Sequence, residues 1–223
     1  MGERPAGRPP TRSFKPRRRA LRPARQEVYD RLAASSLIDV EGPPLDLHEL
    51  FGRSAPTLLE IGIGAGETTI AMAIAQPDLD VIAVDVHTPG IATVLAAIEE
   101  HGLTNVRLVE GDVLDLMPRL ARRSLDGIRV FFPDPWPKPR QQRRRLIKPD
   151  VVDELVARLR PSGWLHLATD IDDYAEQIKA VCDAHPSLRG GIIERPEWRP
   201  ITRYEQRGID AGRHPTDLWY DVD

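Results

Sequence analysis

The chain has 223 residues, of which 41% are hydrophobic and 29% charged, with a net charge of −3. That length suits one α/β domain with a full core, and no apolar run approaches a membrane span or a secretory signal. The single cysteine, Cys182, excludes an internal disulfide and fits a reducing, cytoplasmic setting, and the six histidines show no metal-ligand spacing, so no metal is expected.

The charge is unevenly spread. Residues 1–26 hold nine Arg or Lys against one acid, Glu3, so this end carries +8 and the remainder −11. Met1 to Arg25 is rich in Arg, Pro and Gly without periodicity. It is expected to be a basic, disordered arm, either a solvated tail or a segment that meets a polyanion. Residues 26–223 are expected to form a single domain. Glu27 to Leu37 is amphipathic, with Val28, Leu32 and Leu37 for one face, and predicts a short helix before Gly42-Pro43-Pro44.

An alternation then begins. Strand Thr57–Ile61 leads to helix Thr68–Ala75, and strand Asp80–Val84, ending in Asp85, leads to helix Pro89–His101 with Gly102 as its C-cap. Strand Val106–Val109 is followed by a helix near Val113–Ala121, and strand Gly127–Phe132 by a proline-studded loop and helix Asp150–Leu159. Strand Trp164–Ala168 and helix Ile171–His185 follow, and weaker strands near Gly191–Ile193 and Asp217–Val222 close the chain. The pattern predicts a doubly wound, mostly parallel, seven-stranded α/β sheet, Rossmann-like, whose ligands sit beyond the carboxyl ends of the strands.

At the end of the first of these strands, Gly62, Gly64 and Gly66 fall at every second position. Glycine permits a tight turn and close approach of a ligand to the main chain. Position 67, where a dinucleotide fingerprint has its third glycine, is Glu67, and no Gly-Lys-Ser/Thr is present for a triphosphate. Glu60 precedes the loop. The pattern acid-x-Gly-x-Gly-x-Gly resembles the first motif of S-adenosylmethionine-dependent methyltransferases. A carboxylate there suits a ligand with a sulfonium and an ammonium, and it would repel a pyrophosphate.

Acids end the neighbouring strands as well. Asp85, 19 residues after Gly66, is placed to bond ribose hydroxyls or to cap the helix starting near Thr88. Asp112 is placed to receive an adenine amino group, to cap the next helix, or both. The stretch Phe131-Phe-Pro-Asp-Pro-Trp-Pro-Lys-Pro-Arg140 has proline at 133, 135, 137 and 139, which makes it stiff and non-helical. A plain connector does not require the Asp134, Trp136 and Lys138 set into it. The basic cluster Arg140 to Arg145 that follows is either a solvated face or a contact for a phosphate backbone.

Phe131-Phe-Pro-Asp-Pro-Trp136, Ala168-Thr-Asp170 and Thr202-Arg-Tyr-Glu-Gln-Arg-Gly208, together with Val86-His-Thr-Pro-Gly90, resemble the tRNA (guanine-N7-)-methyltransferase family, bacterial single-chain type, in order and at compatible spacing from about Leu58 to Tyr220. The resemblance implies transfer of a methyl group from S-adenosylmethionine to N7 of a guanine in the tRNA variable loop, by a monomer or homodimer engaged in tRNA modification. It implies that Glu60, Gly62, Gly64, Gly66, Asp85, Asp112 and Asp134 hold the cofactor, with Asp134 also catalytic. Lys138, Asp170, Thr202, Arg203, Tyr204 and Glu205 would bind the substrate, and Arg140, Arg143, Arg144 and Arg145 would touch the RNA backbone. The chain departs from the family pattern at Asp85, where relatives carry Glu, and at Pro137, where they carry His.

Three alternatives use other chemistry. A small-molecule methyltransferase would not require the arginine cluster. A nicotinamide-dependent oxidoreductase is disfavoured by the glycine spacing, and a non-catalytic RNA-binding subunit by the intact acids at every strand end.

Overall fold

The computed structural model describes residues 21–223, so most of the basic arm lies outside the described residues. Its last residues do not extend the arm: Pro23–Ser36 is a helix, α1, begun by proline in the first turn, where a missing N–H costs nothing. The chain then runs β1 (Leu37–Ile38), α2 (Leu47–Phe51), β2 (Thr57–Ile61), α3 (Glu67–Ala75), β3 (Asp80–Asp85), α4 (Thr88–His101) and β4 (Val106–Glu110). After these come α5 (Val113–Leu116) with a 3₁₀ turn, β5 (Leu125–Phe131), α6 (Pro139–Gln142), α7 (Pro149–Arg158), β6 (Leu159–Thr169), α8 (Asp172–Asp183), β7 (Leu188–Ile193), α9 (Arg203–Asp210) and β8 (Thr216–Val222).

The sheet has eight strands in the order β1-β4-β3-β2-β5-β6-β8-β7. Only β8 runs against its neighbours. Chain order reverses between β2 and β5, which pair in parallel from Leu58↔Gly127 to Ile61↔Val130. This switch point is where an open α/β sheet leaves a crevice. The seven-stranded expectation is one strand short: β1, only two residues, joins the sheet edge beside β4 through Leu37↔Leu108 and Ile38↔Val109. Two residues are too few to show an alternating pattern, and Leu37 reads equally well as the end of a helix.

Strand alternation divides two cores. Leu58, Val81, Ala83 and Leu108 face Ile91, Val94 and Leu95 of α4, while Leu59, Ile82, Val109, Ile128 and Leu165 face Leu155 of α7 and Ile178 of α8. Each of these residues is within a few per cent of full burial. At about 25 cal/mol per Å² of apolar surface removed from water, this burial supplies the main driving force for the fold. The cores hold the strand ends, and so the cavity walls, in fixed register.

Three other expectations change. The helix after Asp112 stops at Leu116 and tightens into the 3₁₀ turn Met117–Arg119, because Pro118 cannot continue the α-helical hydrogen bonds. The proline loop contains one helical turn, α6, opened by Pro139. Helix α9 was not legible in apolar periodicity, since its only buried residues are Glu205 and Gly208. Its signature is a cap instead: the Thr202 hydroxyl accepts from the Glu205 amide at 3.1 Å, within a Thr-x-x-Glu pattern.

Candidate active site

The glycine loop is built by backbone conformation. Gly62, Gly64 and Gly66 have φ of 89°, 59° and 88°, values that a side chain would strain. The loop is fastened to the next βα unit by Asp85. One carboxylate oxygen accepts from the Gly64 amide and the other from the His87 amide, each at 2.8 Å. His87 Nδ1 lies 3.1 Å from the Gly64 carbonyl oxygen. The start of α4 then comes so close that a Cβ at Gly90 would lie 2.1 Å from that same oxygen. The segment Val86-His-Thr-Pro-Gly90 thus works as a seat for the glycine loop.

Beyond the loop lies a cavity of about 560 Å³ at the switch point. Ile61, Val84, Val113 and Val130 give it an apolar floor, and Glu60, Glu67, Asp85, Asp112 and Asp134 line its walls. Arg203 and Arg207 of α9 line it as well. The volume falls in the range of small-molecule and cofactor sites, about 300–1,000 Å³. Five acids and an open glycine turn, with no Lys following the glycines, form a donor and acceptor set that fits the cationic nucleoside S-adenosylmethionine. A pyrophosphate would meet a net negative lining, five acids against Arg203 and Arg207.

The expected cofactor residues fall into distinct positions. Gly62, Gly64, Asp85, Asp112 and Asp134 line the cavity. Gly66 lies behind it as the N-cap of α3, where a Cβ would sit 2.8 Å from Val94 Cγ2. Asp112 caps α5, accepting from the Leu114 amide at 3.0 Å, and also faces the cavity. Glu60, expected to suit a ligand ammonium, lines the cavity and already has partners within the protein. Its carboxylate is 2% exposed, receives Arg129 Nη2 at 2.6 Å and the Thr69 hydroxyl at 2.9 Å, and touches the cavity as half of a buried ion pair. Such a pair stabilises little beyond its own desolvation but leaves a costly charge if either partner is removed.

The substrate and RNA residues also separate. Thr202, Arg203 and Tyr204 line the cavity from the first turn of α9, and Tyr204 packs against Phe132 with ring centroids 5.5 Å apart. Burial raises the Tyr204 hydroxyl pKa, and nearby Asp170 adds to that shift. Glu205 is corrected from a substrate contact to a structural one: it is 1% exposed and turned into Arg199, which meets both its oxygens at 2.7 and 2.8 Å. Asp170 is buried outside the cavity wall and accepts from Arg213 Nε at 2.6 Å. Lys138, Arg140 and Arg143 are exposed. Arg144 is half-buried, its guanidinium 3.6 Å from the centroid of the Trp136 ring. Arg145 is corrected from an RNA contact: it is 2% exposed and bonds the Pro135 carbonyl, Gln177 and Asp173, locking the proline loop onto α8.

Sequence reasoning missed Glu67 and Arg199. Glu67 was noted only as a missing glycine, yet it accepts the Arg203 amide at 2.8 Å and also the Arg203 guanidinium. Burial pushes its carboxyl up, but those bonds outweigh burial and hold it below the usual carboxylate range. Arg199, between Trp198 and Pro200, carried no pattern; only its position three residues before the capping Thr202 hinted at a role. Among the described residues, no group of three or more His, Cys, Asp or Glu is arranged to hold a metal, and no helix is long and apolar enough to cross a membrane.

Comparison with known proteins places this geometry. Residues 54–218 match a family model described as "Putative methyltransferase". The tRNA (guanine-N(7)-)-methyltransferase of Nitrosospira multiformis is 46% identical over 213 residues, covering 94% of this chain and 93% of its own. That of Streptomyces avermitilis is 46% identical over 215 residues, covering 94% and 74%. Among solved structures, the 16S rRNA methyltransferase KamB aligns with a TM-score of 0.58 at 16% identity, over 82% of this chain and 95% of its own. The aminoglycoside resistance methyltransferase NpmB1 aligns at 0.56 and 21% identity, over 79% and 92%. These structural likenesses show a shared fold.

Proposed function

The chain belongs to the tRNA (guanine-N7-)-methyltransferase family, and from that premise we propose how its residues divide the work of the reaction. The enzyme transfers a methyl group from S-adenosylmethionine to N7 of a guanine in tRNA. The guanine we assign is the one in the variable loop, and the cytoplasm is the compartment.

When bound, S-adenosylmethionine supplies an electrophilic methyl on a sulfonium. Asp85 and the glycine loop would hold its nucleoside end, and Asp112 its base. Glu60, held by buried Arg129 and by Thr69, would face the ammonium of the amino-acid end. Asp134, at the cavity wall, faces the reacting centre. Guanine N7 carries a lone pair and no proton, so no general base is required. Methylation at N7 would leave positive charge on the purine, beside Asp134. A fixed carboxylate offsets that charge without taking a proton. Thr202, Arg203 and Tyr204 form the wall beside which the guanine is positioned, Asp170 supports that wall from behind through Arg213, and Lys138, Arg140 and Arg143 meet the phosphate backbone. Positioning is thus the main contribution of the chain.

The observation that carries this reading is the acid-walled cavity at the switch point closed on one side by the first turn of α9. The test is transfer of labelled methyl from S-adenosylmethionine to bulk tRNA, followed by nucleoside analysis. Label in 7-methylguanosine supports it. Label in another nucleoside, or equal transfer to free guanosine, rejects it.

A further inference from the structure

Arg199 is buried to 1% and makes four charge-assisted hydrogen bonds, all side chain to side chain. Two go to Glu205 on α9, and two to Asp217 on β8, at 2.8 and 2.9 Å. Asp217 in turn is 2.7 Å from His166 Nε2 on β6. The guanidinium also lies 5.5 and 5.6 Å from the rings of Phe131 and Phe132, which line the cavity next to Asp134. One side chain therefore joins the sheet, the strand-end loop that carries Asp134, and the helix that carries Thr202, Arg203 and Tyr204.

Apart from the Tyr204–Phe132 ring contact, α9 has little apolar packing. Its buried residues are Glu205 and Gly208, and Gly208 is confined by Asp170 and Arg213, which lie 3.0 and 3.1 Å from where its Cβ would be. The helix is anchored mainly through polar contacts, and Arg199 makes the most deeply buried of them. A planar guanidinium with five donors can bridge two carboxylates in one plane, whereas an ammonium cannot bind both in that fork.

We infer that Arg199 is a positioning residue for methyl transfer: through Glu205 it sets the first turn of α9 against the Phe131–Asp134 loop, fixing where the guanine sits relative to the donor. This inference rests on the reading that α9 faces the substrate. It separates two kinds of defect. The hydrogen bonds of Arg199 go to Glu205 and Asp217, neither in the glycine loop, so its loss should disturb the placement of the tRNA base more than the binding of the cofactor, and misplacement by about 1 Å can cost about a hundredfold in rate.

The test compares Arg199→Lys, Arg199→Met and Glu205→Gln with the unaltered chain. Binding of S-adenosylhomocysteine is measured by calorimetry, folding by circular dichroism, and kcat and KM with bulk tRNA. The expected result is analogue affinity unchanged within about threefold, with kcat/KM for tRNA down about tenfold or more in Arg199→Lys and further in Arg199→Met. Glu205→Gln, which keeps the Arg199–Asp217 link, shows the same selective loss and decides the matter if Arg199→Met does not fold. Analogue affinity falling in step with tRNA turnover, or tRNA kinetics unchanged in Arg199→Lys and Glu205→Gln, overturns the inference. An unaltered chain that makes no 7-methylguanosine overturns the functional reading instead, and the inference with it.

Discussion

Glu67 and Arg203 are 136 positions apart in the chain, yet the Glu67 carboxylate accepts the Arg203 backbone amide at 2.8 Å and also its guanidinium. The contact ties the first turn after the glycine loop to the first turn of α9 across the cavity mouth. The Arg203 side chain is 81% exposed, so the ion pair itself adds at most about 1 kcal/mol to stability. Its value is geometric. Glu67→Ala should leave the melting temperature nearly unchanged while lowering kcat/KM for tRNA about tenfold through loss of orientation. Glu67→Gln, which keeps an acceptor for the amide, should recover part of that loss. A melting temperature that falls sharply with unchanged kinetics would show that the contact is structural only.

Asp85 uses both carboxylate oxygens on backbone amides, one from Gly64 and one from His87. Asn offers a single acceptor oxygen, so Asp85→Asn must release one amide, at a cost of about 1–3 kcal/mol for the unsatisfied donor. The released amide is either Gly64, at the cavity, or His87, at its seat. Asp85→Asn is therefore expected to weaken S-adenosylhomocysteine binding by about tenfold or more, the equivalent of about 1.4 kcal/mol, as measured by calorimetry. Asp85→Glu tests the departure from the family pattern. Its longer arm must push the glycine loop or fold back, and it should bind more weakly than the unaltered chain. Tighter binding by Asp85→Glu would show that the loop adapts around the acid.

The strands that build the site were readable because each is an apolar run ending in a turn residue or an acid. Thr57–Ile61 matches its predicted bounds, and Asp80–Asp85 and Val106–Glu110 differ only in whether the terminal acid is included. The site was less readable, because acid and base labels do not say which partner a side chain takes. Glu60, Glu205 and Arg145 look like ligand contacts in sequence; in the fold they pair with Arg129, Arg199 and Asp173, and of the three only Glu60 still lines the cavity. Those pairings join residues 69, 6 and 28 positions apart, and no local pattern encodes them. Helix α9 was invisible for a related reason: its buried face is charged, so the apolar periodicity that marks α4 is missing.

The arginine run 140–145 mixes surface and core. Arg145→Ala should cost about 1–3 kcal/mol, since Arg145 is buried and its removal leaves the Pro135 carbonyl and Gln177 Oε1 without this donor, while half-exposed Asp173 keeps Gln142 and water. Arg140→Ala and Arg143→Ala should leave urea stability within about 0.5 kcal/mol, as exposed substitutions do. The same two changes should reduce the dependence of log affinity for tRNA on log salt by about one unit each, if each side chain neutralises one phosphate. Filter binding between low and moderate salt checks this. An unchanged slope in both would remove the run from the RNA interface.

His166 has no exposure to solvent and sits among Asp217, Arg199 and Arg129, with the rings of Phe131, Trp198 and Trp219 around it. Burial pulls its pKa down, the hydrogen bond and charge of Asp217 pull it up, and the two arginines pull it down again. The net direction is below the ordinary value. The sign of the stability effect follows. As pH falls, the unfolded chain takes up this proton at about 6.5, while the folded chain resists it until a lower pH. The contribution is therefore fully present above about 6.5 and is lost as pH falls below it, with a slope of at most about 1.4 kcal/mol per pH unit for one proton. His166→Gln keeps a donor at the Nε2 position for Asp217 but cannot titrate. Its urea stability should be lower at neutral pH yet change less between pH about 7.5 and 5.5 than that of the unaltered chain. Equal slopes for the two proteins would show that the His166 ring takes up its proton alike in the folded and unfolded chain, and a gain of stability relative to His166→Gln as pH falls would show a ring that stays protonated beside Asp217.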